Sequence, residues 1–345
     1  MGQRVLVLTD SNYHKERDGV FPVAAHLSQN QVIESVLVAD RADSENNAFY
    51  FGLDMSVAEL TARPVDAHYK FETSRDASTQ TIKLKDVDAV WIRLEYPTSE
   101  EFLLYLPRIM PHAFTVNNAK GLVHTSSKEQ LMELKPLVGD MMPQADLCDT
   151  AEQVKVLADQ CSEGVVLKQV RSNGGRGVVR YRPGKDTDLK NIGDVADYLK
   201  KYGRCLVMEY LQPQGPQSDN RVLVMNGVIL TVVSRIPPEG SWICNITSGG
   251  SAEMSDPTQR EIDVIKYIDP VMRKHGIFLY GVDMLLNAKG ERVLSEVNTL
   301  NVGTIHVAQR LSGRPYTKFV ADNLAAVINA RDFHIPPIGI ELIAA

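Results

Sequence analysis

The alternation of apolar and polar positions is sharpest between Ile277 and Thr304. Two β-like runs, 277–286 and 292–297, flank Asn287-Ala288-Lys289-Gly290, a hairpin-type turn. With Leu286 opposite Glu291, Asp283 pairs with Leu294. The period of two then puts Asp283, Leu294, Glu296 and Asn298 on one face of the hairpin. Val282, Met284, Val293 and Val297 take the other face, as a core-facing side requires. Two carboxylates and an amide thus interrupt an otherwise apolar segment. They are hard oxygen ligands of the kind Mg²⁺ takes while leaving positions for water and phosphate oxygens. The same trio also reads as the solvated face of an ordinary hairpin.

Upstream, the run Arg4–Asp10 predicts a buried parallel strand followed by a polar loop, 11–19. A helix over 21–30, a strand near 35–39 and a strand over 87–94 ending in Glu95-Tyr96-Pro97 come next. A helix over 99–110 and an apolar segment at 114–117 complete a β/α alternation. This predicts a small open parallel-sheet domain over residues 1–122. Neither G-x-G-x-x-G nor G-x-x-x-x-G-K-[ST] occurs in it, so dinucleotide and P-loop chemistry are unsupported.

The pattern then changes. Ser126 and Ser127 read as caps for a helix carrying Lys128 through Leu137. A helix over 150–162 leads to the strand 164–170, then to Ser172-Asn173-Gly174-Gly175-Arg176-Gly177 and a further strand, 178–182. Lys168 sits inside that first, apolar strand, where its charge is costly unless it faces an anion. It reads as an edge or snorkelling lysine, or, with Gly174 and Gly175 just downstream, as part of a phosphate site. The strand 203–211 ends in Glu209-Tyr210-Leu211 and then Gln212-Pro213. That end either simply stops at the proline or forms a hinge presenting backbone groups to an adenine edge.

Asn226-Gly227 joins strands 220–225 and 228–234 in a hairpin, with Arg221 and Arg235 toward one open end. Such arginines serve as surface ion-pair partners or, near a metal, as clamps on carboxylate or phosphoryl oxygens. The Pro/Gly/Ser-containing loop 236–251 has the length of a lid. A long helix over 257–275 delivers the chain to the hairpin, and a helix over 316–330 precedes a loosely docked end.

Composition narrows the functional classes. The chain has 345 residues, enough for two or three domains, with 44% hydrophobic and 23% charged residues. A net charge of −6 gives no reason to expect nucleic acid or an anionic membrane as partner. Four scattered cysteines without C-x-x-C point to reduced thiols and a cytoplasmic protein. The N-terminus reads as a first strand instead of a signal peptide, and no apolar run is long enough to span a membrane.

Taken in order, these parts resemble the ATP-grasp ligases, most closely the prokaryotic-type glutathione synthetases. The matching stretches are Asn117…Ser127-Lys128, 165–177 (VVLKQVRSNGGRG), 207–212, 221–227 (RVLVMNG) and 234–237 (SRIP). They continue through Asn245…Gly249-Gly250, Gly281-Val282-Asp283 and Glu296-Val297-Asn298, with Arg93 and Pro97 matching a strand end in the first domain. The resemblance implies an α/β (α+β) chain: an open parallel-sheet N-terminal domain followed by a two-lobed ATP-grasp fold. The small lobe, 123–205, would carry the glycine-rich phosphate loop; the large lobe, 206–345, the metal site and lid. It implies ATP with Lys128, Lys168, Gly174 and Gly175 on its phosphates and Glu209, Tyr210 and Leu211 along adenine. It further implies Mg²⁺ (or Mn²⁺) on Asp283, Glu296 and Asn298, with Arg221, Arg235 and Asn245 catalytic and Arg93, Gly249 and Gly250 on substrate. The implied reaction joins a small-molecule carboxylate to an amine through an acyl phosphate, in a homo-oligomer. A ligase for another peptide or amino-acid pair, or a nucleotide-binding regulator without turnover, are the alternatives. The chain departs from the family at Trp242-Ile243-Cys244, where an arginine is usual, and at Thr299–Thr304, where a Thr-Ser-Pro-Thr-like turn is usual.

Overall fold

The computed structural model describes residues 2–14, 18–75, 77–184, 189, 193–212, 219–237 and 250–338. Its first sheet contains β1 (Gln3–Thr9), β2 (Ile33–Asp40), β3 (Glu59–Pro64), β4 (Gln80–Lys83), β5 (Ala89–Ile92) and β6 (Phe114–Val116). The order is β4-β3-β2-β1-β5-β6. The strands β2, β1, β5 and β6 are parallel, as the βα alternation predicts. The sheet is not purely parallel, however: β3 and β4 form an antiparallel hairpin on its edge. Those two strands read as polar, because one side of an edge hairpin faces water. Val5, Leu6, Val7 and Leu8 of β1 are fully buried, which fits a strand covered by layers on both faces.

One of those layers comes from the far end of the chain. The helix Tyr316–Ala330 lies on the helix Val20–Leu27, and both share an apolar core with Val5, Val7 and Trp91. Asn30 donates to Asp322 at 3.1 Å alongside them. The final helix therefore completes the N-terminal layer in space, whereas its place in sequence assigned it to the large lobe.

The second sheet, antiparallel throughout, has β7 (Ala145–Cys148), β8 (Val165–Gln169), β9 (Val179–Tyr181) and β10 (Cys205–Glu209) in the order β7-β10-β8-β9. It thus reaches Glu209, past residue 205. The helix Ala151–Gln160 packs on it, started by a Thr150–Gln153 capping box. Together with the helix Val195–Tyr202 it encloses a separate core around Val154, Leu167, Tyr198 and Val207.

The third sheet is also antiparallel, with order β13-β12-β11-β14-β15: β11 (Asp219–Met225), β12 (Val228–Ile236), β13 (Ser251–Ser255), β14 (Leu279–Leu286) and β15 (Arg292–Asn298). A helix, Gln259–Lys274, covers one face and begins with a Thr258–Glu261 capping box. Asn117 ties this sheet to the first. Its amide donates to the carbonyls of Leu279 (2.8 Å) and Thr299 (2.7 Å), while its oxygen accepts from the N–H groups of Phe278 (2.8 Å) and Leu279 (3.0 Å). A buried amide with its donors and acceptor satisfied fixes both ends of the β14–β15 hairpin against β6.

Candidate active site

The three sheets surround one cavity of about 480 Å³. Of the sequence-predicted site residues, Arg93, Lys128, Lys168, Gly174, Gly175, Glu209, Tyr210, Leu211, Arg221, Arg235, Asp283, Glu296 and Asn298 all line it. Gly250 precedes β13 and is not among the residues lining the cavity. Asn245 and Gly249, with most of the predicted lid, lie outside the described residues.

The hairpin register differs from the sequence expectation. Asn287 accepts from the N–H groups of Lys289 and Glu291 through its side chain, and Leu286 faces Arg292, not Glu291. A bulge at Ser295 then shifts the ladder, so Asp283 opposes Glu296 and Leu294 turns into the core against Met284. The trio stays together because two structural features offset one another: the turn is one residue longer on one side, and the bulge restores the carboxylates to one face. The bulge adds Ser295 to the cavity, and no pattern of hydrophobicity announces it.

Both strand-end arginines converge on Asp283. Arg221 binds it in a fork, at 2.6 and 2.7 Å, and Arg235 reaches it at 3.0 Å while holding Asp219 at 2.6 and 2.8 Å. Burial opposes ionisation of Asp283, but the two guanidinium groups outweigh it and hold the carboxyl well below the usual range. Asn298 bridges the pair when its amide is turned so that nitrogen donates to Glu296 and oxygen accepts from Arg221, each at 3.2 Å.

Lys128 lies in the turn before the helix Gln130–Val138, not within it. Ser126 and Ser127 do not cap that helix; Ser127 instead accepts from the N–H of Glu129 at 3.3 Å. The Lys128 ammonium donates to the carbonyl of Ser172 at 2.7 Å and pairs with Glu296 at 3.3 Å. Lys168 is buried and bonds Ser295 Oγ at 3.0 Å. Burial lowers its pKa, Glu296 pulls it back up, and Lys128 adds to the depression. At this end of the cavity four cations (Lys128, Lys168, Arg221, Arg235) thus meet three carboxylates (Asp219, Asp283, Glu296), a local excess of one positive charge.

Beside this cluster, Gly174 and Gly175 take φ of 64° and 75°, left-handed values that let the loop between β8 and β9 turn its backbone toward the cavity. At the end of β10 the character changes to apolar, with Val166, Val178, Met208 and Leu286 as walls. Tyr210 carries the Arg180 guanidinium over its ring at 3.6 Å. The N–H groups of Glu209 and Tyr210 are already bonded to the carbonyls of Gln144 (2.7 Å) and Gly164 (2.9 Å). At the opposite end Arg93 is buried, donates to the carbonyl of Val302 at 2.8 Å, and has an unpartnered Nε. Burial pulls its pKa down to about 10, against Asp18 and Glu95, so it stays charged at neutral pH.

Residues 129–313, more than half of the chain, match the model of the prokaryotic glutathione synthetase ATP-grasp domain. The chain belongs to that family. Among similar glutathione synthetases, that of Prochlorococcus marinus subsp. pastoris is 23% identical over 252 residues, covering 72% of this chain and 78% of that one. That of Buchnera aphidicola subsp. Schizaphis graminum is 26% identical over 237 residues, covering 67% and 68%. Solved structures share the fold at low identity. A D-cycloserine synthetase superposes with a TM-score of 0.66 at 14% identity, covering 94% of this chain and 99% of its own. The D-alanine-D-alanine ligase of Coxiella burnetii does so with 0.62, also at 14%, covering 95% and 96%. As a glutathione synthetase-like ATP-grasp protein, the chain is an ATP-dependent ligase forming a carbon–nitrogen bond, in a family that uses ATP and Mg²⁺.

The donor set of this ATP-grasp site fits a hard divalent cation. Asp283 and Glu296 face each other across the ladder, with the Asn298 amide beside them. Among the described residues no group of three His, Cys, Asp or Glu gathers as a metal cluster. Among the described residues no helix is long and apolar enough to cross a membrane.

Proposed function

We propose that this ligase activates a small-molecule carboxylate as an acyl phosphate and passes it to a small-molecule amine. The carrying observation is that one cavity joins an apolar slot, a cationic cluster with a carboxylate pair, and a further buried cation, Arg93. We assign the slot at Glu209, Tyr210 and Leu211 to adenine. Since two N–H groups there are engaged, the base edge is read by carbonyls or by the amide of Leu211. Lys128, Lys168 and the Gly174–Gly175 backbone receive the phosphates, and Asp283, Glu296 and Asn298 hold Mg²⁺. A bound Mg²⁺ neutralises charge on the transferring phosphoryl group.

The chain's own residues supply position and electrostatics. Arg221 and Arg235, preset by Asp219 and Asp283, orient the substrate carboxylate oxygen in line with the γ-phosphate and stabilise the acyl phosphate. Arg93 holds a second anionic group of substrate at the first-domain end. In domain terms the cavity lies between an N-terminal layer (residues 1–122 with the final helix), a small lobe extending to Glu209 and the large lobe beyond it.

The test is phosphate release by purified protein with ATP, Mg²⁺ and a matrix of acids and amines, with the amide identified by mass. Release that requires both an acid and an amine supports the reading. ATP turnover indifferent to every acid and amine, or none at all, would overturn it.

A further inference from the structure

One carboxylate outside the cationic cluster touches all three parts of the molecule. Glu95 follows β5, and its backbone is fixed: its carbonyl accepts from Arg41 at 3.0 Å and from Thr98 Oγ1 at 2.8 Å. Arg41 is itself held by Asp10 at 2.6 Å. The Glu95 side chain then bonds in two directions. One oxygen accepts from Asn301 Nδ2 at 2.7 Å, in the segment after β15. The other accepts from Asn173 Nδ2, at the head of the glycine loop. Arg176 of that loop donates to the carbonyl of Tyr96, reinforcing the same contact at 3.3 Å.

Asn301 adds a second, independent observation. Its Oδ1 is buried without a hydrogen-bond partner, and the residue lines the cavity. A buried acceptor left unpaired is costly, so the position suits an arriving N–H donor. Asn301 also lies in the stretch where the sequence departs from its family pattern.

We infer that Glu95 is a positioning residue, a clasp that couples occupancy of the acceptor end to the posture of the phosphate loop. This rests on the amide-ligase reading for the identity of the donor: an amine substrate whose N–H bonds Asn301 Oδ1. That bond fixes the Asn301 amide, its Nδ2 fixes the Glu95 carboxylate, and the carboxylate holds Asn173 and the loop over the phosphates. The amine is therefore sensed before transfer, and the loop closes most firmly when both substrates are present. Glu95 touches neither reacting atom; it acts through the two asparagines.

The experiment measures Mg-ATP affinity by calorimetry, first without acid or amine and then with the amine that the phosphate-release screen selects, for wild type, Asn173→Ala, Asn301→Ala, the double variant and Glu95→Ala. The amine tightens Mg-ATP binding in wild type and not in the variants, and a wild-type affinity unmoved by the amine overturns the coupling. Each single change breaks the same chain, so each weakens affinity by about tenfold, the scale of one hydrogen bond to a charged group. The double variant is no worse than either single one. Glu95→Gln, which keeps one acceptor oxygen, falls between wild type and Glu95→Ala. Additive losses, or nucleotide affinity unmoved by Asn301→Ala in a protein of normal melting temperature, overturn the clasp. A clasp that serves only to hold the fold together lowers melting temperature without this non-additivity, and that pattern overturns it too. The ligase reading stands or falls separately on phosphate release, because the affinity cycle needs no turnover.

Discussion

Replacing Asp283 with Asn isolates the electrostatic centre of the site. The carboxylate is one-tenth exposed and receives three short contacts from two guanidinium groups. Removing one member of a buried ion pair typically costs about 3–5 kcal/mol, since the partner charge stays behind. Here Arg235 keeps Asp219, and the asparagine oxygen still accepts one bond, so the loss falls mainly on Arg221. We therefore expect about 2–3 kcal/mol at neutral pH, a fall in Tm on the order of 3–5 °C for a chain of this size. The pH dependence carries a sign. The folded carboxyl of Asp283 titrates below its ordinary value, so its contribution is complete above the unfolded pKa and fades as pH drops through the folded one. Wild type should lose this increment below about pH 4, and Asp283→Asn should not, so their denaturation midpoints converge in acid. Chemical denaturation from pH 7 down to pH 2.5 reads both effects. Equal stability at pH 7, or midpoints that stay parallel into acid, would mean that Asp283 does not hold the arginines as described.

Other outcomes follow from the same geometry. Glu296→Gln should lower Mg²⁺-dependent turnover by orders of magnitude with little effect on folding, whereas Val297→Asp should damage folding, because Val297 is in the core; steady-state kinetics and circular dichroism on both variants separate the two, and the reverse pattern would place the hairpin off register. Burial lowers the Lys168 pKa, so the unfolded chain binds that proton more tightly, and stability gains from this site as pH rises toward the ordinary value of 10.5. Urea midpoints of ligand-free protein between pH 7 and 10 should show a shallower rise in Lys168→Met, and identical slopes would contradict it. Asn117→Ala strands four buried backbone partners and should cost about 4 kcal/mol or more by denaturant titration, with a loss under about 1 kcal/mol ruling out its role as a tie between the sheets.

Much of this site was legible from the chain alone. Asp283, Glu296 and Lys168 stood out because each is a charge inside an apolar run, and burial of charge demands a partner; Arg221 and Arg235 stood out as strand ends turned toward one open end of a hairpin. The register was not legible, because a bulge leaves no period of its own: Ser295 looks like any small polar residue on a strand. Asp219 escaped notice for a different reason, since it sits at a strand start where an aspartate is unremarkable. Glu95 and Asn301 are 206 residues apart, and only the tertiary fold brings them together. Lys128 was placed on a helix because two serines resemble caps, yet the helix starts at Gln130 and those serines turn the chain instead. The edge strands β3 and β4 were hidden by their polar exposed side.

The four bonds of Asn117 also bear on how the protein is made. On the ribosome, Asn117 precedes its partner Thr299 by 182 residues. At about 5–20 residues per second, that separation is roughly 9–36 s of synthesis. For most of that interval, until Phe278 and Leu279 are made, Asn117 has none of these partners to bond, and the helix Tyr316–Ala330, which packs on the first sheet, is still later to emerge. The nascent N-terminal sheet thus waits with one apolar flank bare, a surface of the kind that chaperones cover. For this chain, the first sheet closes only once residues made about 200 positions after its last strand have emerged.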